Sequence, residues 1–284
     1  MKSAADLAAE QSAFWKGAGG QGWLAAYRRI QRSLVDINKA VLALAAARPG
    51  ERLIDVGCGT GDTTAALAAA VSPAGPLAGH VLGLDISEPL IEAARAQNLA
   101  NAAFVVGDAT VHPFEAGAAD LVFSRFGVMF FGEPVAAFRN LHRALKPTGR
   151  LAFVCWRTPQ ENPWGLVPVR AAAPFLPPLQ RPGPEEPGQY SFGDRNRVER
   201  ILKESGFVGA SLEPLDVSIH MGQDVAEIVA NADRFGPLAR PFAEATPEAA
   251  DKARAAIAEA LAPHAKPDGV SLPGACWLVT ARVS

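Results

Sequence analysis

The residues whose types and spacing could do chemistry stand first in the stretch ERLIDVGCGTGDTT, residues 51–64 of a 284-residue chain. Asp55 lies two residues before Gly57, and glycine recurs at alternate positions through Gly59 and Gly61. Glycine lets a backbone turn sharply and removes the side chain that would keep a ligand away. Neither a strand nor a hydrophobic core needs such a cluster, so the pattern predicts a turn that a ligand approaches closely.

The charge around this turn indicates a ligand with a positive group and no phosphate. Phosphate loops use backbone N–H groups and a Gly-Lys-Ser/Thr ending, which is absent here, while Asp55 and Asp62 flank the turn with negative charge. Dinucleotide turns have the spacing G-x-G-x-x-G, whereas this turn has G-x-G-x-G. Asp55 would repel a pyrophosphate and attract an ammonium group. The same carboxylate could also hold the turn by bonding backbone N–H groups.

Two more aspartates follow the next predicted strands. Asp85 ends HVLGLD and Asp108 ends AAFVVGD. Parallel strands share a direction, so all three carboxylates are expected at one edge of the sheet. Asp85 suits a ribose diol because a carboxylate accepts two hydroxyl hydrogen bonds, and Asp108 suits an exocyclic amine such as that of adenine. The alternatives are a helix N-cap for Asp85 and a plain turn residue for Asp108. Ammonium, ribose and adenine together describe S-adenosylmethionine.

Alternating strands and helices must position these residues. Predicted strands lie at 52–56, 80–85, 102–108, 119–126 and 150–156, and predicted helices at 22–47, 63–71, 88–97 and 134–146. The strands are near-continuous apolar runs, as expected when both faces of a sheet are buried. The pattern therefore predicts an α/β fold with a doubly wound, parallel sheet.

The chain after residue 156 is organised differently. Residues 157–190 are rich in proline, which predicts a poor helix or central strand and a surface excursion. Further on we expect a helix at 194–207, strands at 211–220 and 275–283, and helical patterns at 224–234 and 247–262. The predicted organisation is a helical arm or lid (1–48), a cofactor-binding core (49–157), the proline-rich excursion (158–193) and the rest of the core (194–284), with a helical insertion at about 223–263.

Residues 51–156 resemble the class I S-adenosylmethionine-dependent methyltransferases, and are most similar to the ubiquinone/menaquinone-biosynthesis C-methyltransferase group. The matching pieces are LIDVGCGTG (53–61), VLGLDIS (81–87), FVVGDA (104–109), DLVFSRFGVMFF (120–131) and NLHRALKPTGRLAFVCW (140–156). The resemblance implies a Rossmann-like methyltransferase fold with a seven-stranded, mostly parallel sheet, an antiparallel last strand and helical lid insertions. It departs from the family at Thr148, where a second glycine is usual in a structural turn.

The resemblance also implies the residues of a cofactor site. Asp55, Gly57 and Gly59 would contact the methionine moiety, and Ser124 would lie near it. Asp85 would take the ribose hydroxyls, and the residues after it and after the third strand would meet the adenine. The candidate cofactor-binding set is Asp55, Gly57, Cys58, Gly59, Asp62, Asp85, Ile86, Asp108, Ala109 and Ser124.

An acceptor must lie in line with the transferred methyl group. Such a displacement depends on alignment in a dry pocket, and a base is needed only if the acceptor loses a proton. No residue is therefore assigned as catalytic; His112 is the best base candidate, and His142 is read as structural. The candidate acceptor-binding residues are Trp15, Trp23, Arg125, Phe126, Met129, Trp156, Trp164 and Arg234.

Each acceptor-binding assignment has a structural alternative. The glycine-rich segment FWKGAGGQGW (14–23) predicts a mobile lid, or else an arm whose tryptophans pack on the sheet. The aromatic residues of SRFGVMFF (124–131) predict an apolar pocket, or else core packing. Arg125 indicates an acidic acceptor, or else a structural ion pair.

Composition limits the remaining classes of function. A net charge of −2, without a basic block, gives no electrostatic case for nucleic acid. Three widely spaced cysteines offer no metal-ligand spacing and are read as reduced, partly buried thiols, so no metal is expected. The N-terminus has no signal-peptide pattern, and no apolar run approaches the roughly 20 residues of a membrane span. These observations predict a cytoplasmic protein without a membrane partner.

The leading prediction is a small-molecule methyltransferase that uses S-adenosylmethionine. Three alternatives stay open: a nicotinamide-dependent oxidoreductase on the same sheet, a macromolecule-modifying methyltransferase and a non-catalytic cofactor-binding module. The second is disfavoured because SRFG follows the fourth strand, where the amino-methylating families carry an Asn/Asp-Pro-Pro-aromatic motif. The acceptor atom and the oligomeric state are not predicted.

Overall fold

The computed structural model describes residues 4–72, 79–179, 183, 185–234 and 236–283. Its strands are β1 Arg52–Val56, β2 His80–Asp85, β3 Ala102–Val106, β4 Ala119–Arg125, β5 Leu145–Trp156, β6 Phe207–Gly222, β7 Ala265–Lys266 and β8 Gly269–Val283. Its helices are α1 Ala4–Lys16, α2 Ala18–Ser33, α3 Val35–Ala45, α4 Asp62–Val71, α5 Glu88–Arg95, α6 Pro134–Ala144, α7 Pro163–Ala172, α8 Arg195–Glu204, α9 Val225–Ala230, α10 Ala239–Glu244 and α11 Pro247–Leu261.

The strands form one mixed sheet in the order β3-β2-β1-β4-β5-β8-β6. Strands β1 to β5 pair in parallel, and β8 runs antiparallel to both β5 and β6. The two-residue β7 pairs only with β8, off this path. The predicted fold class is confirmed, including the antiparallel last strand. The carboxyl ends of β1, β2 and β4 therefore lie side by side along one edge.

The core shows why the apolar runs became central strands. Leu121, Val122 and Phe123 on β4 have no exposed surface, since helices cover both faces of the sheet. A second, smaller core joins α7, α10 and α11 to the start of β8, centred on Phe242 and Ile257. The insertion between β6 and β8 is thus packed on its own apolar cluster. The boundaries of the predicted domains stay a prediction.

Three local predictions are wrong. The single helix at 22–47 is two helices that meet at Leu34, and the first begins at Ala18, inside the segment expected to be a glycine-rich loop. The glycines of that segment are helical because a partner lies against the helix: a Cβ at Gly20 would sit 2.3 Å from Ser87 Oγ. The proline-rich segment contains α7, with Pro163 in its first turn and Pro168 inside it. Packing against the second core outweighs the low helix propensity there.

Other differences are small. Strand β3 ends at Val106, so Asp108 follows it by two residues rather than ending it. Strands β6 and β8 are longer than predicted, and α10 had no clear sequence pattern. Among the described residues, no helix is both long and apolar enough to cross a membrane.

Candidate functional site

The glycine turn after β1 has three glycines in the left-handed region, with φ of 69° at Gly57, 56° at Gly59 and 88° at Gly61. Two of them are explained by packing within the chain. A Cβ at Gly57 would lie 2.7 Å from Gly127 Cα, and one at Gly61 would lie 3.0 Å from the Phe104 ring. At Gly59 the nearest atom would be Trp23 Nε1, 3.8 Å away. Gly59 is therefore the glycine of this turn whose backbone faces open space.

Asp55 is fully buried at the end of β1. Its Oδ2 accepts hydrogen bonds from Thr63 Oγ1 at 2.8 Å and Thr64 Oγ1 at 2.7 Å, both at the start of α4. Its Oδ1 has no hydrogen-bond partner in the part of the chain that the structure describes. Burial raises the pKa of Asp55 to about 6, although the two threonine hydroxyls oppose that shift. Asp55 holds the helix start with one oxygen and keeps the other available for a donor.

Asp85 links the glycine turn to the next helix. Its Oδ2 accepts from the backbone N–H of Gly59 at 2.9 Å, and its Oδ1 accepts from that of Ser87 at 2.9 Å. Burial raises its pKa, while these N–H groups lower it. A carboxylate oxygen with one donor keeps a second lone pair, so Asp85 can still accept from hydroxyl groups. Ser87 is the N-cap residue of α5, but its side chain makes no capping bond.

The other predicted cofactor residues occupy varied positions. The Cys58 thiol is buried against Ile91 and Phe104, behind the turn, so only its backbone can face a ligand. Ser124 Oγ donates to Val56 O at 2.8 Å and joins β4 to β1. Both hydroxyl and thiol therefore serve the fold in this structure.

The residues predicted near adenine lie at the ends of β2 and β3. Asp108 Oδ1 accepts from the backbone N–H of Thr110 at 2.8 Å, which stabilises a turn. Ala109 is buried, and its carbonyl accepts from Asn140 Nδ2 at 2.9 Å. Ile86 lines an open cavity of about 280 Å³ together with Lys16, Glu88, Pro89, Glu92 and Val106. This cavity gives a flat ring an apolar wall beside Asp85.

The N-terminal helices cover the glycine turn. Trp15 packs edge-on against Phe130 with ring centroids 4.8 Å apart, and lies 6.2 Å from Trp23. Gly20 rests directly on Ser87 at the start of α5. The predicted acceptor residues Trp15 and Trp23 thus lie over the cofactor edge, within a helical cover rather than a loop.

Polar contacts attach this cover to the core. Tyr27 Oη donates to Asp62 Oδ1 at 2.5 Å, and Gln31 Nε2 donates to Asp62 Oδ2 at 3.2 Å. Thr60 Oγ1 also donates to Asp62 Oδ2, at 2.8 Å. Asp62, predicted to touch the cofactor, therefore accepts three hydrogen bonds from protein side chains. Tyr27 and Gln31 were not predicted; polar residues spaced i,i+4 on an otherwise apolar helix face were the available signal.

Arg125 is held by the same helices. Its Nη1 donates to Gln31 Oε1 at 2.9 Å and to Asn38 Oδ1 at 2.7 Å. Burial lowers its pKa, and the negative charges of Asp55 and Asp62 counteract that shift. These contacts agree with the structural alternative for Arg125, which joins the end of β4 to α2 and α3.

The aromatic acceptor candidates form a continuous row. Phe126 stacks on Trp156 with centroids 4.6 Å apart and planes 11° apart, and Trp156 lies 4.8 Å from Trp164. Met129 is buried, and its sulfur accepts from the backbone N–H of Trp156 at 3.4 Å. Phe126, Met129 and Trp156 pack in the core, whereas Trp164 is partly exposed on α7. The row leads from the end of β4 toward the helical insertion.

The remaining candidates lie further out. Arg234 is exposed after α9, away from the glycine turn, and lines a cavity of about 280 Å³ with Asp233 and Phe242. His112 packs against Phe114, and burial lowers its pKa. The described ranges contain no group of three or more histidine, cysteine, aspartate or glutamate side chains placed to hold a metal ion.

The residues present fit S-adenosylmethionine. Three of the six buried side-chain polar atoms without a hydrogen-bond partner, counted over the described ranges, lie around the glycine turn and its cover: Trp15 Nε1, Asp55 Oδ1 and Ser87 Oγ. Buried polar atoms are seldom left unpaired in folded proteins. A free carboxylate oxygen suits an ammonium group, and an indole N–H suits an acceptor oxygen.

Comparison with known proteins agrees with this fit. The model of the family described as a methyltransferase domain matches residues 54–153. A curated demethylmenaquinone methyltransferase of Staphylococcus aureus strain JH9 is 29% identical over 204 residues, covering 65% of this chain and 80% of the relative.

Two solved structures share the fold. The YcgJ protein of Bacillus subtilis has a TM-score of 0.56 at 17% identity, covering 87% of this chain and 97% of the other. Phosphoethanolamine N-methyltransferase 2 of Haemonchus contortus, solved with S-adenosyl-L-methionine, has a TM-score of 0.58 at 18% identity, covering 96% of this chain and 60% of the other. The domain match and the geometry together assign an S-adenosylmethionine-dependent methyltransferase domain to residues 54–153.

Proposed function

We propose that this enzyme methylates a small molecule, bound between the N-terminal helical cover and the aromatic row of Phe126, Trp156 and Trp164. The observation that carries the proposal is the cover itself. Gly20 lies against Ser87, and Tyr27 and Gln31 hold Asp62, so α2 lies across the edge where the methyl group must be transferred. A closed site of this kind admits a small acceptor more readily than a duplex or a folded protein.

S-adenosylmethionine supplies an electrophilic methyl group on a sulfonium. In this proposal Asp55 Oδ1 accepts from the ammonium of the cofactor, Asp85 accepts from its ribose, and Ile86 packs on its adenine. Helix α2 and the Trp15–Trp23 pair exclude water and hold the acceptor in line, which is the main catalytic requirement of such a displacement. Residues 1–48 act as the lid in this scheme.

The acceptor is proposed to be largely apolar. The row of stacked rings offers an apolar wall, and the relative from Staphylococcus aureus is named for demethylmenaquinone. A quinone-like ring is consistent with both. Fold similarity alone does not determine the substrate, because one fold supports many reactions.

Calorimetric titration with S-adenosylhomocysteine, S-adenosylmethionine and NADH tests the cofactor site. Asp85→Ala should weaken both adenosyl ligands by about 10-fold or more, since bonds to a charged group contribute roughly 1.5–3 kcal/mol. Asp36→Ala is the matched control, because Asp36 is exposed and pairs only with Lys39. Wild-type affinity in Asp85→Ala would refute its ribose role, and binding of NADH instead would favour an oxidoreductase.

Transfer of a labelled methyl group then tests the acceptor class. The enzyme is incubated with methyl-labelled S-adenosylmethionine and a cell extract that has been divided by ultrafiltration. Label in the small-molecule fraction supports the proposal. Label confined to protein or nucleic acid contradicts it, and binding of the cofactor without any transfer would favour a non-catalytic module.

A further inference from the structure

Helix α2 has a second side, which faces the helical insertion. Ser33 Oγ donates to His220 O at 2.5 Å, at the end of β6. Arg32 Nη2 lies 3.9 Å from Glu227 Oε1 on α9. Because β6 runs parallel to β5, this contact lies at the same edge of the sheet as the glycine turn. One helix thus borders both the cofactor edge and the insertion.

This junction carries an excess of positive charge. Arg29 and Arg32 lie one turn apart on α2, and Arg234 follows α9. Burial lowers the pKa of Arg29, as do the charges of Arg234 and Arg32, against the opposing effect of Glu227. Glu227 is the acid that acts on Arg29 and Arg32, while Asp233 pairs with Arg254 at 2.7 Å.

Two of these three arginines form no side-chain hydrogen bond within the described part of the chain. Arg29 is half-buried, and neither its guanidinium nor that of Arg234 donates a hydrogen bond to any described residue. A half-buried arginine beside two like charges is unfavourable unless an anion joins it. Arg125 differs, because its Nη1 is occupied by Gln31 and Asn38.

The distance between the glycine turn and this junction is about the length of a small substrate. Trp23, beside Gly59, precedes Arg29 by six residues, which is about 9 Å along a helix axis. The aromatic row leads from the end of β4 to Trp164 on α7, which packs in the second core with Ile228 of α9. An acceptor that extends from the glycine turn along α2 toward the helical insertion would present its far end to Arg29 and Arg234.

We infer that Arg29 and Arg234 bind an anionic group, a carboxylate or a phosphate monoester, at the end of the acceptor remote from the methylated atom. This inference rests on the proposed small-molecule function and specifies its substrate class. Arginine suits both groups because its planar fork donates two parallel hydrogen bonds. Arg32, tied to Glu227, adds charge at the rim.

Binding of phenylhexanoate, its neutral amide phenylhexanamide and phenylhexyl phosphate tests the inference. Affinities are measured with and without saturating S-adenosylhomocysteine, in wild type, Arg29→Gln and Arg234→Gln. Arg28→Gln is the control on α2, since Arg28 is the exposed neighbour of Arg29. Arg240→Gln is the control in the insertion, since Arg240 is exposed and pairs only with Glu244. All variants are checked for retained S-adenosylhomocysteine binding.

The expected result is a preference of about tenfold or more for at least one anion over the amide in wild type, as for a hydrogen bond to a charged group. That preference should fall to about threefold or less in Arg29→Gln and Arg234→Gln, and persist in both controls. Carboxylate preferred over phosphate, or the reverse, identifies the natural group.

Equal affinity for anions and amide, no binding of any probe, or a preference that survives both test variants would overturn the inference. Arg234 is exposed, so its variant stays informative if Arg29→Gln fails to fold. Failure of S-adenosylhomocysteine to bind would count against the cofactor site. The preference for anions over the amide, measured without S-adenosylhomocysteine, would still test the anion-binding inference. Methyl label confined to macromolecules would refute the small-molecule function separately.

Discussion

Replacing Asp55 with asparagine should remove a pH-dependent penalty from the ligand-free folded protein. Burial raises the pKa of Asp55 from its ordinary 3.8 to about 6. The folded state therefore binds this proton more tightly than the unfolded state. The resulting stabilisation is fully present below pH 3.8 and is lost as the pH rises through about 6. About two pH units correspond to a loss of roughly 3 kcal/mol in the free energy of unfolding.

The accessible part of this change lies between about pH 5 and pH 8, where the same linkage gives a loss of about 1.4 kcal/mol. Urea unfolding of wild type and Asp55→Asn at these two pH values measures it. The difference between the two proteins should move by about 1.4 kcal/mol toward the variant as the pH rises, because asparagine does not titrate. At about pH 8 the stability that Asp55→Asn gains over wild type is reduced by roughly 1–3 kcal/mol. This is the cost of burying an amide N–H without an acceptor.

Two comparisons make this test decisive. Asp36→Asn, at an exposed position on α3, should show no change in its difference from wild type across the same range. A difference for Asp55→Asn that is equal at both pH values would refute the argument, because Asp55 would then titrate alike in the folded and unfolded states. The cost of burying the amide is the same at both pH values, so it cancels when the change in stability with pH is measured.

The remaining predictions concern binding and packing. Affinity for S-adenosylhomocysteine should fall as the pH drops below about 6, because an ammonium needs Asp55 ionised; calorimetry that shows the same fall in Asp55→Asn would contradict this. Gly57→Ala should lower the melting temperature more than Gly59→Ala, since both have positive φ, which costs roughly 1–2 kcal/mol, but only the first Cβ meets Gly127, at 2.7 Å. Equal losses would contradict the packing argument. Arg125→Gln should lower the melting temperature, because the hydrogen bonds that attach α2 and α3 to β4 are lost. A raised KM for the acceptor with an unchanged melting temperature would instead support a substrate-binding role for Arg125.

Local patterns predicted the sheet and its acidic edge well. Apolar runs of strand length alternate with helical periodicity through residue 156, and this is enough to give a doubly wound sheet. Asp55 and Asp85 lie at the strand ends where the sequence placed them. A parallel sheet brings such ends together whatever the distant contacts are, so their proximity follows from topology alone.

The helical cover was not predictable in the same way. Gly19 and Gly20 lower intrinsic helix propensity, so the sequence indicated a loop, but both are buried within α2. The reason is tertiary, since Ser87 approaches Gly20 too closely for any side chain. Arg125 is a similar case, because its partners are 87 and 94 residues away in the sequence. No short-range pattern reports such contacts.

This division between local and distant contacts bears on where acceptor specificity resides. The cofactor edge is built from residues 55–124, whose positions follow from strand order. The proposed acceptor region lies among α2, α7 and the segment after α9, which meet only in the folded chain. Arg125 lies nearest the cofactor edge, but its charge is offset by the carboxylates of Asp55 and Asp62. Arg29 and Arg234 lie further out, and their side chains have no hydrogen-bond acceptor among the described residues. In this proposal the charge available to an acceptor is on α2 and on the segment after α9, so substitutions there should change substrate choice while leaving cofactor affinity intact.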